Sequence, residues 1–415
     1  MIVFKSIEID STDDIELNIK RSSKLDFKLS YDDEKEIEAI LVLIQGTGDD
    51  ANNAYLKFIM ENLAKKHNAA IISPNYFGIH NRPQTGAKPY FDELDKKIMY
   101  ELCESLNIAL DEEIFQTNSP EKILEKLNIH IAYKKSKGDL KQDYVAFVHC
   151  SLDPLNGEYQ NWGIMPAMDI INAILHLKKN PPFKTGGGGG ESLRVVVSGG
   201  SYGGYLALMC AKIAPWLIDG VIDNSGSGLF SWRMIGFGKE LDFKTYYGCG
   251  ARIGDVHFLL SDKTFWTLDA HSLYFFSQSR SDIRYILNPT HLETLAKFNH
   301  IIFVSYHSKN DTFLAPYTEK VKLFELLKKL DFDSTLHLIQ DEGEVDGRLI
   351  KNLEHGLGIP FKALINKEFP PLLEKIKKQK KKPCKKNISY VCYDLIYHFS
   401  EQNHKMKLEI EHYDR

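Results

Sequence analysis

Ser201, Asp311 and His355 have the residue types, and the order along the chain, that acyl-transfer chemistry needs. A serine hydroxyl is a weak nucleophile until a base takes its proton and a third group orients that base. Ser201 stands at the apex of Gly199-Gly200-Ser201-Tyr202-Gly203-Gly204, between the apolar run 193–197 and the apolar stretch 205–211. This reads as a strand, a sharp glycine turn and a helix. Such a turn forces its serine into a backbone conformation that only small flanking residues permit. The helix that starts behind it aims N–H groups at any oxyanion nearby. A glycine-rich turn that merely happens to contain serine is the bland alternative. The legible strand and helix on either side favour the nucleophile.

The acid and the base follow in sequence. Residues 300–306 read as a buried strand ending in His307-Ser308-Lys309-Asn310-Asp311, and a helical stretch runs from about 316 to 330. Asp311 therefore falls on a loop at the carboxyl end of a strand. Residues 335–339 alternate like a strand, and His355 follows beyond an acidic, glycine-bearing loop, 44 residues after Asp311. Serine, acid and histidine then occur in a known triad order. A lone Asp after a strand is commonly a turn or capping residue, and a lone His is commonly structural, but three such residues at strand-end loops weigh against coincidence. Asp223, at the end of the 219–222 strand, is the rival acid. His307 and His337 are the rival bases, although His307 precedes the acid and His337 sits inside a strand. An oxyanion hole needs two N–H donors. Tyr202 supplies the first. The second is Thr47 or Gly48, in the loop Gln45-Gly46-Thr47-Gly48 after 39–44, a continuous apolar run of the kind a fully buried strand shows.

These residues carry a family resemblance. The Gly-Gly-Ser-Tyr-Gly-Gly hexapeptide resembles the nucleophile region of the prolyl-oligopeptidase-like serine hydrolases of the α/β-hydrolase superfamily. His307 to Pro316 is similar to that group's pattern of His, a small residue, two variable residues, Asp, and Pro five positions later; Ser308 stands where Gly is usual. Many hydrolases have His-Gly where this chain has Gln45-Gly46, but the donor there is a backbone group. The resemblance covers the hydrolase core only, since the β-propeller that caps the peptidases has no room here. The whole chain resembles more closely a bacterial family labelled as a domain of unknown function and associated with flagellin-glycosylation genes. What these resemblances imply is an α/β-hydrolase fold and a serine hydrolase that cleaves an ester, with an O-acylated sugar or a related small molecule as substrate. An acyltransferase on a surface-glycan sugar precursor, a peptidase and a non-catalytic hydrolase-fold binding protein stay open as alternatives. The binding protein predicts an occluded Ser201 or an unpaired His355.

The elements that would position the site run from strand-rich to alternating strand and helix, then strand-rich again. Segments 2–9, 15–20 and 25–31 look like the antiparallel opening of a mostly parallel sheet flanked by helices, with strands at 39–44 and 69–74 following. Residues 92–138 read as a charged helical insertion, 144–148 as the next strand and 164–179 as a helix. Residues 228–298, rich in aromatics such as Phe230, Trp232, Tyr246, Trp266 and Phe276, occupy the cap position and read as a substrate lid. Residues 1–376 thus form the hydrolase domain. Residues 377–415 add a basic linker and a β-hairpin at 388–399 and 405–412. The glycine run 186–190 reads as a flexible surface loop.

Composition excludes several classes. With 415 residues and 43% hydrophobic content the chain can bury one large core plus an insertion. A net charge of −4 gives no general attraction to nucleic acid. The six cysteines (103, 150, 210, 249, 384 and 392) form no C-x-x-C pair or zinc spacing and read as reduced cytosolic thiols. No signal sequence opens the chain and no apolar run approaches about 20 residues, so the expectation is a cytoplasmic protein without a membrane span. No Walker, H-E-x-x-H or dinucleotide pattern occurs, so neither a metal nor a nucleotide cofactor is expected.

Overall fold

The computed structural model describes residues 1–109, 114–117, 119–228, 250–379 and 384–413. These fold as two compact units, one formed by 1–79, 162–230 and 277–415, the other by 80–161 and 231–276.

The first unit is built on an eight-stranded sheet. Its spatial order is Ile2–Ile9, Leu25–Asp32, Ala69–Asn75, Ala39–Ile44, Arg194–Gly200, Gly220–Asn224, Ile302–Ser308 and Ser334–Ile339. The first two pairings are antiparallel and all the others parallel. Buried on both faces, the central strands are continuous apolar runs, and successive side chains serve opposite cores. Val195 and Val197 pack with helices Ile164–Lys179, Tyr202–Ile213 and Tyr317–Lys329. Val196 and Ile222 pack with helices Ala54–Lys66 and Phe361–Lys378 on the other side. This is the α/β-hydrolase arrangement expected from the sequence, with the carboxyl ends of the parallel strands facing one edge.

Several elements differ from expectation. Residues 15–20 form no strand, only a bridge between Asp14 and Ile19. Ile15 is exposed, and Glu16 turns inward to a fully buried ion pair with Arg284, shared with the Tyr397 hydroxyl at 2.9 Å. The C-terminal extension is a three-stranded antiparallel sheet, Asn387–Cys392, Leu395–Gln402 and Lys405–His412. It is not a loose appendage, because Tyr390, Tyr397 and Phe399 join the same core as Val195. The glycine run is anchored as well: Gly190 is buried, and a Cβ there would lie 1.9 Å from the Lys178 carbonyl oxygen.

The second unit gathers two segments that read as separate insertions. Strand Ala146–Asp153 pairs in parallel with Val256–Asp262, and a four-stranded sheet forms with Lys88–Tyr90 and Gly250–Ile253 on its edges. Helices Glu93–Ser105 and Pro120–Lys137 cover it through Met99, Leu124, Leu127 and Ile131. The 144–148 strand thus belongs here and not to the central sheet. An apolar run announces a strand but not the sheet that takes it. Of the 228–298 segment, 229–249 lies outside the described residues, with Phe230, Trp232 and Tyr246 among them. Trp266 packs edge-on against Phe276 at 5.3 Å within this unit. Residues 278–298 instead form helices Gln278–Arg284 and Pro289–Leu295 whose Ile283, Leu292 and Leu295 enter the core of the first unit.

Candidate active site

Three strand ends of the first unit bring the candidate residues together. Ser201 follows strand Arg194–Gly200 and precedes helix Tyr202–Ile213, with φ 53° and ψ −123°. That is left-handed backbone, costly for a residue with a side chain. Close packing holds it there. A Cβ on Gly199 would lie 2.3 Å from the Gly203 carbonyl, and one on Gly203 would lie 2.3 Å from the Ile44 carbonyl. The Ser201 N–H also donates to Asn224 O at 2.8 Å. The glycines are therefore required by contact distance, and the serine pays the strain that exposes its hydroxyl.

His355 occupies a turn after strand Ser334–Ile339. Its Nε2 lies 2.8 Å from Ser201 Oγ and its Nδ1 lies 2.6 Å from Asp311 Oδ2. The His355 side chain is 21% exposed and that of Asp311 only 2%, so the relay runs from solvent edge to interior. Asp311 also accepts the Ala315 N–H at 3.0 Å. Burial raises its carboxyl, but the His355 hydrogen bond, the Ala315 N–H and the two nearby imidazoles outweigh that and hold it below the usual carboxylate value. With Nδ1–H donating to Asp311, Nε2 presents its lone pair to the Ser201 hydroxyl. This arrangement can take a proton from serine and return it to a leaving group.

The rivals sit elsewhere in the network. Asp223 is buried and accepts from the Gly226 N–H, the Ser305 hydroxyl and the Lys320 ammonium. Its oxygens are occupied by these donors, and His355 is not among them. His307 donates Nε2–H to the Ala315 carbonyl at 2.7 Å, and burial followed by the Lys320 charge pushes its pKa down to about 4. It braces the Asp311 turn as a neutral ring. His337 stacks on Tyr306 with ring centroids 4.4 Å apart.

The Gln45–Gly48 loop lies against the elbow. A Cβ on Gly46 would be 3.8 Å from Ser201 Cβ, and the Tyr76 hydroxyl fixes the loop by donating to Gln45 O at 2.8 Å. Thr47 N–H donates to no carbonyl among the described residues. Tyr202 is the first residue of its helix, a position whose N–H the helix itself does not bond.

Sequence reasoning missed the residues that hold the histidine loop. The Gly356 N–H donates to Ser225 Oγ at 3.1 Å, and Asn224 Nδ2 donates to Gly356 O at 2.9 Å. Ser308 Oγ donates to Leu353 O at 2.5 Å. Their one sequence signal is polarity at the ends of apolar strands, while their partners lie 45 to 132 residues away.

Residues 5–410 match a family described as a protein of unknown function, DUF2920. The chain belongs to that family. No curated protein matches the DUF2920 chain in sequence. Among solved structures it is similar to acylaminoacyl peptidase of Pyrococcus horikoshii at 14% identity and a TM-score of 0.43, over 92% of this chain and 43% of the peptidase. It is also similar to esterase Est22, at 9% identity and a TM-score of 0.41, over 83% of this chain and 74% of that one. A thermostable esterase matches at 11% identity and a TM-score of 0.39, over 91% and 63% respectively. The DUF2920 chain thus spans less than half the length of the peptidase.

Proposed function

We propose that this protein is a serine hydrolase that cleaves an ester of a small molecule through an acyl-enzyme intermediate. The observation that carries the reading is the continuous contact from Ser201 Oγ through both ring nitrogens of His355 to Asp311, at 2.8 and 2.6 Å, on a serine held at φ 53°. His355 Nε2 takes the hydroxyl proton as Ser201 Oγ attacks the carbonyl carbon. Asp311 holds the ring in the tautomer this requires and stabilises the imidazolium that forms. The Tyr202 and Thr47 N–H groups bind the oxyanion. As the intermediate collapses, the C–O bond to the alcohol breaks and His355 protonates the departing oxygen. Water then attacks the acyl carbon as His355 takes its proton; the bond from that carbon to Ser201 Oγ breaks, His355 returns the proton to Oγ, and the carboxylic acid leaves. The close packing at Gly199 and Gly203 and the Asn224–Ser225 clamp on the histidine loop support this reading, because they hold the serine and the histidine in contact.

A panel of p-nitrophenyl esters of increasing acyl length, assayed with the parent protein and with Ser201→Ala and His355→Ala, tests the proposal. Turnover that disappears in both variants supports it. Turnover that survives in Ser201→Ala rejects the nucleophile.

A further inference from the structure

Away from Ser201, in the first unit, three side chains of metal-ligand type converge from distant parts of the chain. Asp282 belongs to helix Gln278–Arg284, His291 to helix Pro289–Leu295 and Cys392 to strand Asn387–Cys392. One ligand atom from each lies within 4.8 Å of the other two. Cys392 Sγ is 3.6 Å from His291 Nε2, and Asp282 Oδ2 is 3.7 Å from the same nitrogen. The nitrogen–oxygen separation is too long for a hydrogen bond. Both are close to the spacing of two ligands on one tetrahedral ion, and the sulfur–oxygen pair, within 4.8 Å here, would have to lie about 3.6 Å apart around the same ion. Zn–S near 2.3 Å and Zn–N near 2.1 Å put sulfur and nitrogen about 3.6 Å apart, and an oxygen ligand falls about 3.4 Å from the nitrogen.

Chemistry and burial agree with the spacing. Thiolate, imidazole and carboxylate form a zinc donor set. Cys392 and His291 are buried, and the Asp282 side chain is 14% exposed. Asp282 Oδ1 is oriented by Asn288 Nδ2 at 2.7 Å, which leaves Oδ2 turned to His291. Such support of a ligand from behind is a feature of built metal sites, whereas His291 Nδ1 has no hydrogen-bond partner among the described residues. The competing arrangement is hydrogen bonding of His291 Nε2 with Val391 O at 3.2 Å and with Cys392 Sγ at 3.6 Å, which an ion would replace. The Val391 carbonyl or a water then fills the fourth position. A charge on nearby Lys212, held by the Ile283 and Tyr285 carbonyls at 2.7 and 2.8 Å, opposes that of the ion.

We propose that Asp282, His291 and Cys392 form a structural zinc site that pins the C-terminal sheet to the helix pair 278–295. Local spacing patterns could not show it, because the ligands are separated by 9 and 101 residues.

The test uses the full chain with Cys249 and Cys384 replaced by serine, stripped with chelator and titrated with Co²⁺ and then Zn²⁺. One Co²⁺ per chain with a thiolate-to-cobalt absorption band, displaced by Zn²⁺, is the expected result. Asp282→Asn should weaken Zn²⁺ binding at least about 10-fold while the protein stays folded, and Cys392→Ala should remove the band. Zn²⁺ should raise the melting temperature of the parent and not that of Cys392→Ala. A folded parent that shows no band at stoichiometric Co²⁺ overturns the proposal. So does a band or a Zn²⁺-induced thermal shift that Asp282→Asn leaves unchanged, which also decides the matter if Cys392→Ala does not fold.

Discussion

His355 Nε2 lies 2.8 Å from Ser201 Oγ although 154 residues separate them, and two neighbours of the elbow strand enforce the contact. Asn224 ends the strand adjacent to Arg194–Gly200 and Ser225 follows it; the two hold Gly356 from both sides and so anchor the histidine next to the serine turn. Position of the base is thus set by the sheet itself.

The two buried acids should respond differently to the same substitution. Asp311→Asn removes the carboxylate that fixes the His355 tautomer, and kcat for an ester substrate should fall by about 10⁴-fold. Asp223→Asn leaves that pair intact but strands the buried Lys320 ammonium, so its main effect should be lost stability. Steady-state kinetics with thermal melts on both variants check this. A larger kcat loss in Asp223→Asn would transfer the acid's role.

Glycines at the elbow and in the 186–190 run should also separate. Gly199→Ala places a methyl group 2.3 Å from backbone atoms that cannot move without opening the turn. It should cost upwards of about 1–3 kcal/mol and abolish activity. Gly187→Ala meets nothing within 4 Å and should leave both melting temperature and turnover near parental values. Equal effects in the two variants would contradict the packing argument.

His307 gives a pH dependence with a fixed sign. Its folded value is pushed down to about 4 against 6.5, with burial as the first cause. The unfolded chain therefore takes up this proton first as the pH drops. The stability tied to the neutral ring is full above pH 6.5 and is lost progressively as the pH falls toward 4. The depressed Asp311 carboxyl acts in the same direction at lower pH. In urea titrations, the midpoint of the parent should fall more between pH 6.5 and 4 than that of His307→Gln. A parallel fall in both would remove His307 from the account.

Much of this was legible in the sequence because it is local. The apolar run Ala39–Ile44 and the strand–glycine–helix pattern around Ser201 each need only their own neighbours to be read. That Asp311 and His355 lie on loops after strands was legible as well. What stayed hidden depends on distant partners. Glu16 looked like the polar side of a strand because Arg284, its buried counterion, is 268 residues away. The Ala146–Asp153 strand has the pattern of any buried strand, and only its pairing with Val256–Asp262 assigns it to the second sheet. The clamp on Gly356 is invisible for the same reason.

The most direct test of the central claim is covalent labelling with a fluorophosphonate, read by intact mass and by peptide mapping. One adduct per chain is expected, on Ser201, formed rapidly in the parent and greatly slowed in His355→Ala. An adduct on another serine, or none on a folded parent protein, would contradict it.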